Sequence, residues 1–480
     1  MTQHDGQSMA IDKSPVPFFI KALVFSLPQL GLAVLIAPIA ILAGLYAKYF
    51  GLSLVSVAGV ILVAKLFDAV TDPLIGYWSD CLYEKTGSRK ALIIVGGLLL
   101  IPCSGFLYVP LFTGSVLYFF FWYLLFYFSL TLISIPYMAW ANEFTFDTRE
   151  KTMTFGTMNV MGLLGGVLFY SLPILPYFVT NEITPLILKV CFLLGSALIL
   201  LGLYFAIKYV PSGRYKNDKF HHLSKSDPEY FSSDHLHKKA AIHLKEIGSV
   251  VVHNKPFLVI MCVLLMAGVG MGMWFSLFFT YVDSYLGQGE VFTKVYAWGM
   301  AAGALMTPVW YHLVLHLGKR TVWLLSTAMI GVVFVSGAFL SAGIAGFSAI
   351  FTLKLIFSIS ASAGGVISGP LLCDVIDYSQ LKEGVDRSGV YFSLQGLFAK
   401  IPMAVGAGLG LAVIGLMGYD ATSQSQTELA LFGMRVGVAW LPAMFMLLSM
   451  VLIAKLPLNE RRMVIIRKRL AQHQNTLAAK

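Results

Sequence analysis

Charged residues are scarce in this chain. They make up 12% of its 480 residues, against about 25% in soluble globular domains. The hydrophobic share is 58% and the mean hydropathy is +0.77. These values exclude a soluble fold. Apolar segments of about 20 residues, the length that crosses a bilayer as a helix, recur along the chain and predict an all-α membrane protein.

Cysteines and metal-ligand patterns are also scarce. The five cysteines form neither a disulfide framework nor a zinc-ligand spacing. His312 and His316 are four residues apart, but no HExxH motif or third ligand accompanies them. No nucleophile–base pair indicates an enzyme, and no selectivity-filter pattern indicates a channel. We therefore expect neither catalysis nor a bound cofactor.

Twelve apolar segments can be placed as predicted spans one to twelve. They lie near residues 18–48, 54–79, 91–112, 115–141, 154–178, 185–209, 256–286, 291–315, 321–343, 346–375, 388–418 and 430–456. A polar, basic and histidine-rich stretch separates the sixth from the seventh, which predicts a solvated linker. The expected organisation is a tail 1–16, a six-helix bundle 17–210, a linker 211–254, a second six-helix bundle 255–457 and a basic tail 458–480.

The basic residues sort by side of the membrane. If both termini are cytoplasmic, 27 of the 34 Lys and Arg lie at cytoplasmic ends, in cytoplasmic loops or in the tails. The positive-inside rule then fixes the orientation, and the net charge of +10 does not indicate a nucleic-acid partner. The first apolar segment is too long for a cleaved signal sequence. The sequence predicts a multi-pass protein of the cell (inner or plasma) membrane.

Predicted span two carries three charges inside an apolar run. Lys65, Asp68 and Asp72 follow one another at i, i+3 and i+7, so they share one face of a helix. Each central charge costs roughly 2.5 to 3.5 kcal/mol on the insertion scale. The apolar side chains of the span return only about 3 to 7 kcal/mol in total. This face must therefore lie against protein or a water-filled path, which makes it a candidate functional site.

Predicted span eleven places Lys400 at least eight residues from either end. A Lys this deep either finds an anionic partner or becomes neutral. Asp68 and Asp72 are the acidic groups that the predicted spans place deep in the membrane. We expect Lys400 and these two carboxylates to face each other across one central cavity.

Polar side chains also occur on spans one and four. Gln29 on span one serves either helix packing or substrate contact. Thr131 and Ser134 lie one turn apart on span four, followed by Asn142. Their hydroxyls bind either a ligand or their own backbone, as hydroxyls in membrane helices commonly do.

Charges also gather at the predicted cytoplasmic ends of the spans. Asp80 and Arg89 follow span two; Asp374 and Asp377 lie at the end of span ten, and Arg387 lies in the loop after it. They form either an interfacial cluster of salt bridges or a gate that joins the two halves. The motif GSRK after span two returns as LGKR after span eight, as expected of a transporter built from two parallel half-repeats around a midplane site.

Three separated motifs then resemble one family. FDAVTDPLIGYWSD (67–80), ISIPYMAWANEF with DTREKT (133–152) and DVIDYSQLKEGVDRSGVYFSLQGLFAK (374–400) resemble the glycoside-pentoside-hexuronide:cation symporters of the major facilitator superfamily, the group of melibiose permease. The resemblance implies twelve helices in two bundles, alternating access and coupling to sodium, lithium or protons. It also implies that Asp68 and Asp72 hold the cation beside Thr131, and that Lys400 links the cation and substrate sites.

The departures from this family concern sugar recognition. Ser134 and Met138 stand where sugar-carrying members have Asp and Trp, and Asn159 and Gly365 where they have Arg and Trp. The helix-one Asp that binds sugar hydroxyls has no counterpart. Galactoside transport is therefore not supported. The chain is also similar to the sodium-dependent lysophosphatidylcholine symporter, which keeps the cation carboxylates and the Lys around a more apolar cavity.

The sequence predicts a symporter driven by Na⁺ or H⁺ that moves a sugar, glycoside or uronide; the alternative is a sodium-coupled transporter of a lysophospholipid-like or other anionic amphipathic solute. The expected partners are a small-molecule solute and membrane lipid, and the expected state is a monomer. The candidate cation ligands are Asp68, Asp72 (the metal ligands if the ion is sodium), Thr131 and Ser134; the candidate substrate and coupling residues are Lys400, Lys65, Gln29, Met138, Asn142, Asn159 and Gln395; the candidate gate is Asp80, Arg89, Asp374, Asp377 and Arg387.

Overall fold

The structure is a computed structural model. It describes residues 17–40, 42–52, 54–111, 115–145, 147–174, 184–212, 254–288, 292–340, 347–383, 387–419 and 426–457, together with 463, 465 and 466. The predicted tails 1–16 and 458–480 and the predicted linker 211–254 lie almost entirely outside the described residues. Every regular element in the described part of the chain is helical.

The described part of the first half, residues 17–212, contains seven α-helices. They are α1 (Phe18–Ile36), α2 (Leu42–Phe50), α3 (Leu54–Thr86), α4 (Lys90–Tyr108), α5 (Val116–Glu143), α6 (Thr148–Ser171) and α7 (Pro185–Tyr209). A 3₁₀ turn, Ala37–Ala40, divides predicted span one into α1 and α2. It contains Pro38, as expected because proline lacks the N–H that a continuous helix needs.

The second half begins at residue 254. Its helices are α8 (Lys255–Thr280), α9 (Phe292–Leu317), α10 (Lys319–Gly337), α11 (Phe347–Glu383), α12 (Ser388–Leu416), α13 (Glu428–Arg435) and α14 (Leu441–Ala454). Short π-helical segments, Tyr281–Tyr285 and Val436–Trp440, extend α8 and join α13 to α14. Helix α11 ends eight residues later than predicted span ten, so Asp374 and Asp377 lie inside a helix rather than at its end.

Ten helical segments in the described part of the chain are long and apolar enough to cross a membrane. Helices α3 and α9 are comparably long, with 33 and 26 residues, and lie among them. Helix α3 carries the charged face predicted from the sequence. Helix α6 begins six residues before predicted span five, because the side chain of Asp147 accepts a hydrogen bond from the Glu150 N–H at 2.7 Å and caps the helix there.

Two equivalent ion pairs reflect the half-repeat. At the start of α4, Arg89 pairs with Glu143 at the end of α5. At the start of α10, Lys319 pairs with Asp374 of α11. Arg89 and Lys319 belong to the matching motifs GSRK and LGKR. Each half thus holds two of its helices together at the same end, which we name the ion-pair end and which the charge distribution predicts to be cytoplasmic.

The two halves meet along a few helix pairs. Helix α12 lies against α3 and α5, and α6 lies against α9 and α11. Within the halves, α1 packs between α6 and α7, and α8 packs between α12 and α14. The contact of α3 with α12 brings the charged face of predicted span two onto the helix that carries Lys400.

The backbones of α3 and α12 approach each other closely where the two helices cross. A methyl group on Gly76 would lie 2.6 Å from the carbonyl oxygen of Gly389, and one on Gly389 would overlap the carbonyl oxygen of Gly76. Both carbonyls belong to helices, so neither can move aside easily. The close approach of the halves at the ion-pair end therefore depends on these two glycines.

The substitution Gly389→Ala is expected to disfavour this arrangement by about 1–3 kcal/mol, the usual cost of overpacking. Loss of thermal stability in the purified protein and a lower solute uptake rate would measure it. Gly408→Ala is the control on the same helix, since its added methyl group would meet no atom within 4 Å. Equal behaviour of the two variants would contradict the proposed role of the close approach.

Candidate cation and substrate site

One cluster joins α3, α5 and α12 in the interior of the helical assembly. The ammonium of Lys400 donates hydrogen bonds to Asp72 Oδ2 at 2.8 Å and to Asp68 Oδ2 at 3.1 Å. The hydroxyl of Thr131 donates to Asp72 Oδ1 at 3.0 Å. The structure therefore brings together four of the residues singled out in the sequence, and we name them the coupling cluster.

Burial makes these contacts strong. Asp68 and Asp72 are each 1% exposed, whereas the Lys400 side chain is 36% exposed. Two buried carboxylates without a counter-ion would be very costly, so the ammonium compensates them within the protein. The coupling cluster nevertheless keeps one formal negative charge, because it holds two carboxylates and one ammonium.

The donor set of the coupling cluster suits a small monovalent cation. It offers carboxylate and hydroxyl oxygens, the ligands that hard cations prefer. Within the described residues, no group of three or more His, Cys, Asp or Glu side chains could hold a metal ion. A cation that binds here must compete with the ammonium of Lys400 for the same carboxylate oxygens.

The other candidate cation and substrate residues whose side chains the structure describes lie apart from the coupling cluster. Ser134 is half-buried one turn along α5, and no hydrogen bond to either carboxylate is found for it in the described part of the chain. Gln29 lies against α6, where a methyl group on Gly162 would be 3.7 Å from its amide nitrogen. Met138 is partly buried and packs against an apolar core that contains residues of both halves. Lys65 lies on α3, but its side chain is outside the described residues.

Asn159 lies where the halves meet near the middle of the helices. Its amide donates to the Thr307 hydroxyl at 3.0 Å and to the Ser362 carbonyl at 3.2 Å. A methyl group on Gly365 would overlap the Asn159 side-chain oxygen. The Asn159 side chain thus occupies the space that a side chain at position 365 would take. The two positions at which sugar-carrying relatives have Arg and Trp form a direct contact between the halves here.

Gln395 of α12 lies beside Ser368 of α11. Its side-chain nitrogen lies 3.5 Å from the carbonyl oxygen of Ser368. Asn142 of the first half reaches the second half, since its amide donates to the Ser388 hydroxyl at 3.3 Å. Both residues therefore lie where the second half's helices pack, and Asn142 belongs to the ion-pair end rather than to the coupling cluster.

At the ion-pair end, Asp80 joins the two halves. Arg89 pairs with Asp80 at 2.6 Å and donates to the Ser79 hydroxyl at 2.6 Å. Asp80 in turn accepts the backbone N–H groups of Gly389 at 2.7 Å and Val390 at 3.0 Å. These N–H groups begin α12, where the helix dipole favours a negative charge.

A second buried pair joins the halves directly. Lys151 at the start of α6 pairs with Asp377 of α11 at 2.6 Å, and the two side chains are 0% and 1% exposed. Asp374 instead pairs with Lys319 of its own half. Arg387 is half-buried and immediately precedes α12.

Three partners in these pairs were missed by the sequence reasoning. Glu143 lies in the motif ISIPYMAWANEF and Lys151 in DTREKT. Both therefore lie in recognised motifs, but neither was predicted to form a salt bridge. Lys319 lies in LGKR, whose match with GSRK could have assigned it a carboxylate partner by the half-repeat.

The fold and the buried coupling cluster define a membrane transporter of the major facilitator superfamily. The chain belongs to the family described as MFS/sugar transport protein, which matches residues 24–460. This confirms the family predicted from the three motifs and the class of transporter rather than enzyme. The protein is a multi-pass membrane protein of the inner or plasma membrane.

Three relatives illustrate the range of the similarity. The uncharacterized symporter YjmB of Bacillus subtilis is 23% identical over 85% of this chain and 85% of its own length. The glucuronide carrier protein homologue of Escherichia coli is 32% identical over 22% of this chain and 23% of its own length. The sodium-dependent lysophosphatidylcholine symporter 1 of Gallus gallus is 22% identical over 84% of this chain and 79% of its own length.

The fold is also similar to a solved structure, that of the major facilitator transporter FucP in the outward conformation. The TM-score is 0.64 and the identity 14%, over 92% of this chain and 100% of the other. At this identity the likeness concerns the fold alone.

Proposed function

We propose that the protein is a symporter that uses a Na⁺ or H⁺ gradient to move a sugar, glycoside or uronide by alternating access. The observation that carries the proposal is the coupling cluster, in which Lys400 of the second half pairs with Asp68 and Asp72 of the first. A cation and a lysine that share two carboxylates provide a direct link between ion binding and solute binding.

Coupling follows from competition for the carboxylates. A Na⁺ ion or a proton on Asp68 or Asp72 weakens the hold of these carboxylates on Lys400. The half-exposed ammonium then becomes available to an anionic or oxygen-rich solute. The solute therefore binds better when the cation is present, and by linkage the cation binds better when the solute is present.

Access is proposed to alternate between the two ends of the molecule. In this proposal, two contacts between the halves close the ion-pair end: Asp80 of α3 accepts the N–H groups at the start of α12, and Lys151 pairs with Asp377. Solute release at this end requires both contacts to break, as the two bundles, 17–210 and 255–457, rock against each other. The proposed gate thus consists of contacts between the halves, while Arg89–Glu143 and Lys319–Asp374 stabilise each half from within.

The choice of solute rests on the relatives and on the positions at which this chain departs from sugar-carrying members of the family. The glucuronide carrier homologue supports a uronide, whose carboxylate suits Lys400. A lysophospholipid-like solute is the second candidate, because Met138 and Gly365 offer neither a carboxylate nor an aromatic platform to a sugar, and because the lysophosphatidylcholine symporter matches most of the chain.

Thermal stabilisation of the purified protein tests the proposal. A panel of sugars, uronides, nucleosides and lysolipids, each with and without sodium at two pH values, is expected to yield a hit that strengthens with sodium or with protons. Ligand at 100 times its Kd adds about 2.7 kcal/mol of stability. A lysolipid hit alone would favour the second candidate, and absence of any cation-dependent hit would contradict symport.

Lys400→Met is expected to separate the two binding events. Without the competing ammonium, the carboxylates still bind the cation, so stabilisation by sodium or protons persists. Solute binding, however, is no longer strengthened by the cation. Titration of the solute at zero and saturating cation in both proteins measures this difference, and a variant that keeps the cation dependence of the wild type would exclude Lys400 as the link.

A further inference from the structure

Lys354 is a second lysine inside a membrane helix, and the coupling cluster does not include it. It lies on α11 and is 3% exposed. Within the described residues, four side-chain cations are this deeply buried. Arg89, Lys151 and Lys319 each form an ion pair with a carboxylate. Among the side chains that the structure describes, Lys354 has no such carboxylate.

Aromatic rings surround the Lys354 ammonium instead. The nitrogen lies 3.5 Å from the ring centroid of Tyr296, 5.0 Å from that of Phe357 and 5.3 Å from that of Phe278. The rings come from α8, α9 and α11. Ring faces attract a cation, but they do not replace the oxygen acceptors that the three N–H donors of an ammonium require.

The lysine stem lies against α9 beside Gly299. A methyl group on this glycine would be 3.5 Å from Lys354 Cγ. A methionine at 354 would fill the same space among the rings without the cost of a buried charge. The position therefore retains a charged, hydrogen-bonding group in surroundings that would accommodate an apolar one.

Lys354 and Lys400 lie at different depths. Gln395 and Ser368 are level with each other across α12 and α11. Counted from this level at 1.5 Å per helical residue, Lys354 lies about 14 Å farther from the ion-pair end than Lys400. A hexose-sized solute cannot touch both ammonium groups at once, so Lys354 belongs to a separate subsite nearer the opposite end.

We propose that Lys354 binds an anionic group of the transported solute, a carboxylate or a phosphate, at a subsite that the solute occupies before the coupling cluster. This inference rests on the proposed function, and it narrows the solute to an anion. A lysine offers a compact positive charge and three donors, which suits both kinds of oxyanion. The aromatic rings hold the ammonium when the solute is absent.

Binding of two matched glycosides to the purified full-length protein tests the inference. 4-Nitrophenyl β-D-glucuronide carries a carboxylate, and 4-nitrophenyl β-D-glucoside does not. In wild-type protein the glucuronide is expected to bind more tightly than the glucoside. In Lys354→Met its affinity is expected to fall at least tenfold, while the affinity for the glucoside stays unchanged. Lys382→Met is the control, because it makes the same change at an exposed position of α11.

Two further measurements distinguish failure of the Lys354 subsite from failure of the proposed function. Stabilisation by the coupling cation must persist in Lys354→Met, which shows that the variant is folded and that the coupling cluster is intact. The same binding measurement is made with lysophosphatidylcholine. If Lys354→Met loses binding of lysophosphatidylcholine but not of the glucuronide, the anionic group is a phosphate. Wild-type binding that Lys354→Met retains in full would overturn the subsite alone. Wild-type protein that binds none of the probes would overturn the proposed function and the subsite together.

Discussion

Asp72→Asn is expected to abolish cation-driven solute accumulation, so that the internal solute concentration no longer exceeds the external one. Asp72 accepts hydrogen bonds from both Lys400 and Thr131, and it offers a carboxylate to the cation. Bonds to a charged group contribute about 1.5–3 kcal/mol each, and 1.4 kcal/mol is tenfold in affinity. The amide therefore weakens cation binding by at least about tenfold and loosens Lys400 at the same time.

Uptake into proteoliposomes under an imposed sodium or proton gradient measures this effect. Movement of solute down its own gradient should persist, because the substitution removes the link to the cation and not the path. Glu84→Gln is the control, since it makes the same chemical change on α3 at an exposed position. Accumulation against a gradient in Asp72→Asn would show that the cation binds elsewhere.

The coupling cluster shows what a sequence can predict about a membrane site. Charges deep in a bilayer are so costly that each must find a partner, and Lys400 had Asp68 and Asp72 as its deep acidic groups. The structure brings these three side chains together across 328 and 332 residues of chain. The roles of ion ligand and coupling residue stay predictions, because a short distance between charges is also what a purely structural ion pair shows.

The ion-pair end shows where sequence reasoning stops. At the membrane surface many charges lie close to one another, so energy does not assign each to one partner. Asp374 and Asp377 lie one turn apart on α11, yet Asp374 pairs within its half and Asp377 pairs across to Lys151. This difference depends on the crossing of α6 with α11, which no local pattern specifies. The fold followed more readily, since twelve apolar segments and a half-repeat leave few arrangements.

Lys354 and Asn159 illustrate a third situation. Both can be found in the sequence, because Lys354 is a charge inside predicted span ten (346–375) and Asn159 is a departure from sugar-carrying relatives. Neither environment could be foreseen, because the aromatic rings around Lys354 come from three helices and the contact of Asn159 with Gly365 requires the halves to touch. Composition identifies such residues, and only packing shows what surrounds them.

Exchanging the charges of the pair that joins the halves is expected to restore what each single change destroys. Lys151→Asp alone leaves two buried carboxylates side by side, and Asp377→Lys alone leaves two ammonium groups. Removing one partner of a buried pair costs about 3–5 kcal/mol, so the single variants should lose the closed ion-pair end and most of their uptake. The double variant Lys151→Asp/Asp377→Lys re-forms the pair with its sign reversed, and its uptake should recover at least tenfold over either single variant.

Labelling of Cys373 by a membrane-permeant thiol reagent reports the same equilibrium. This cysteine is fully buried on α11, one turn from Asp377, and it should become reactive in the single variants and protected again in the double variant. Cys373→Ser gives the background from the other four cysteines. If the salt bridge of Lys151 and Asp377 only stabilises the fold, the single variants will lose thermal stability without a gain in Cys373 reactivity. If Cys373 reactivity rises in both single variants and falls again in the double variant, the pair of Lys151 and Asp377 belongs to the gate. The protection of Cys373 then depends on the pairing of the two charges and not on the identity of either residue.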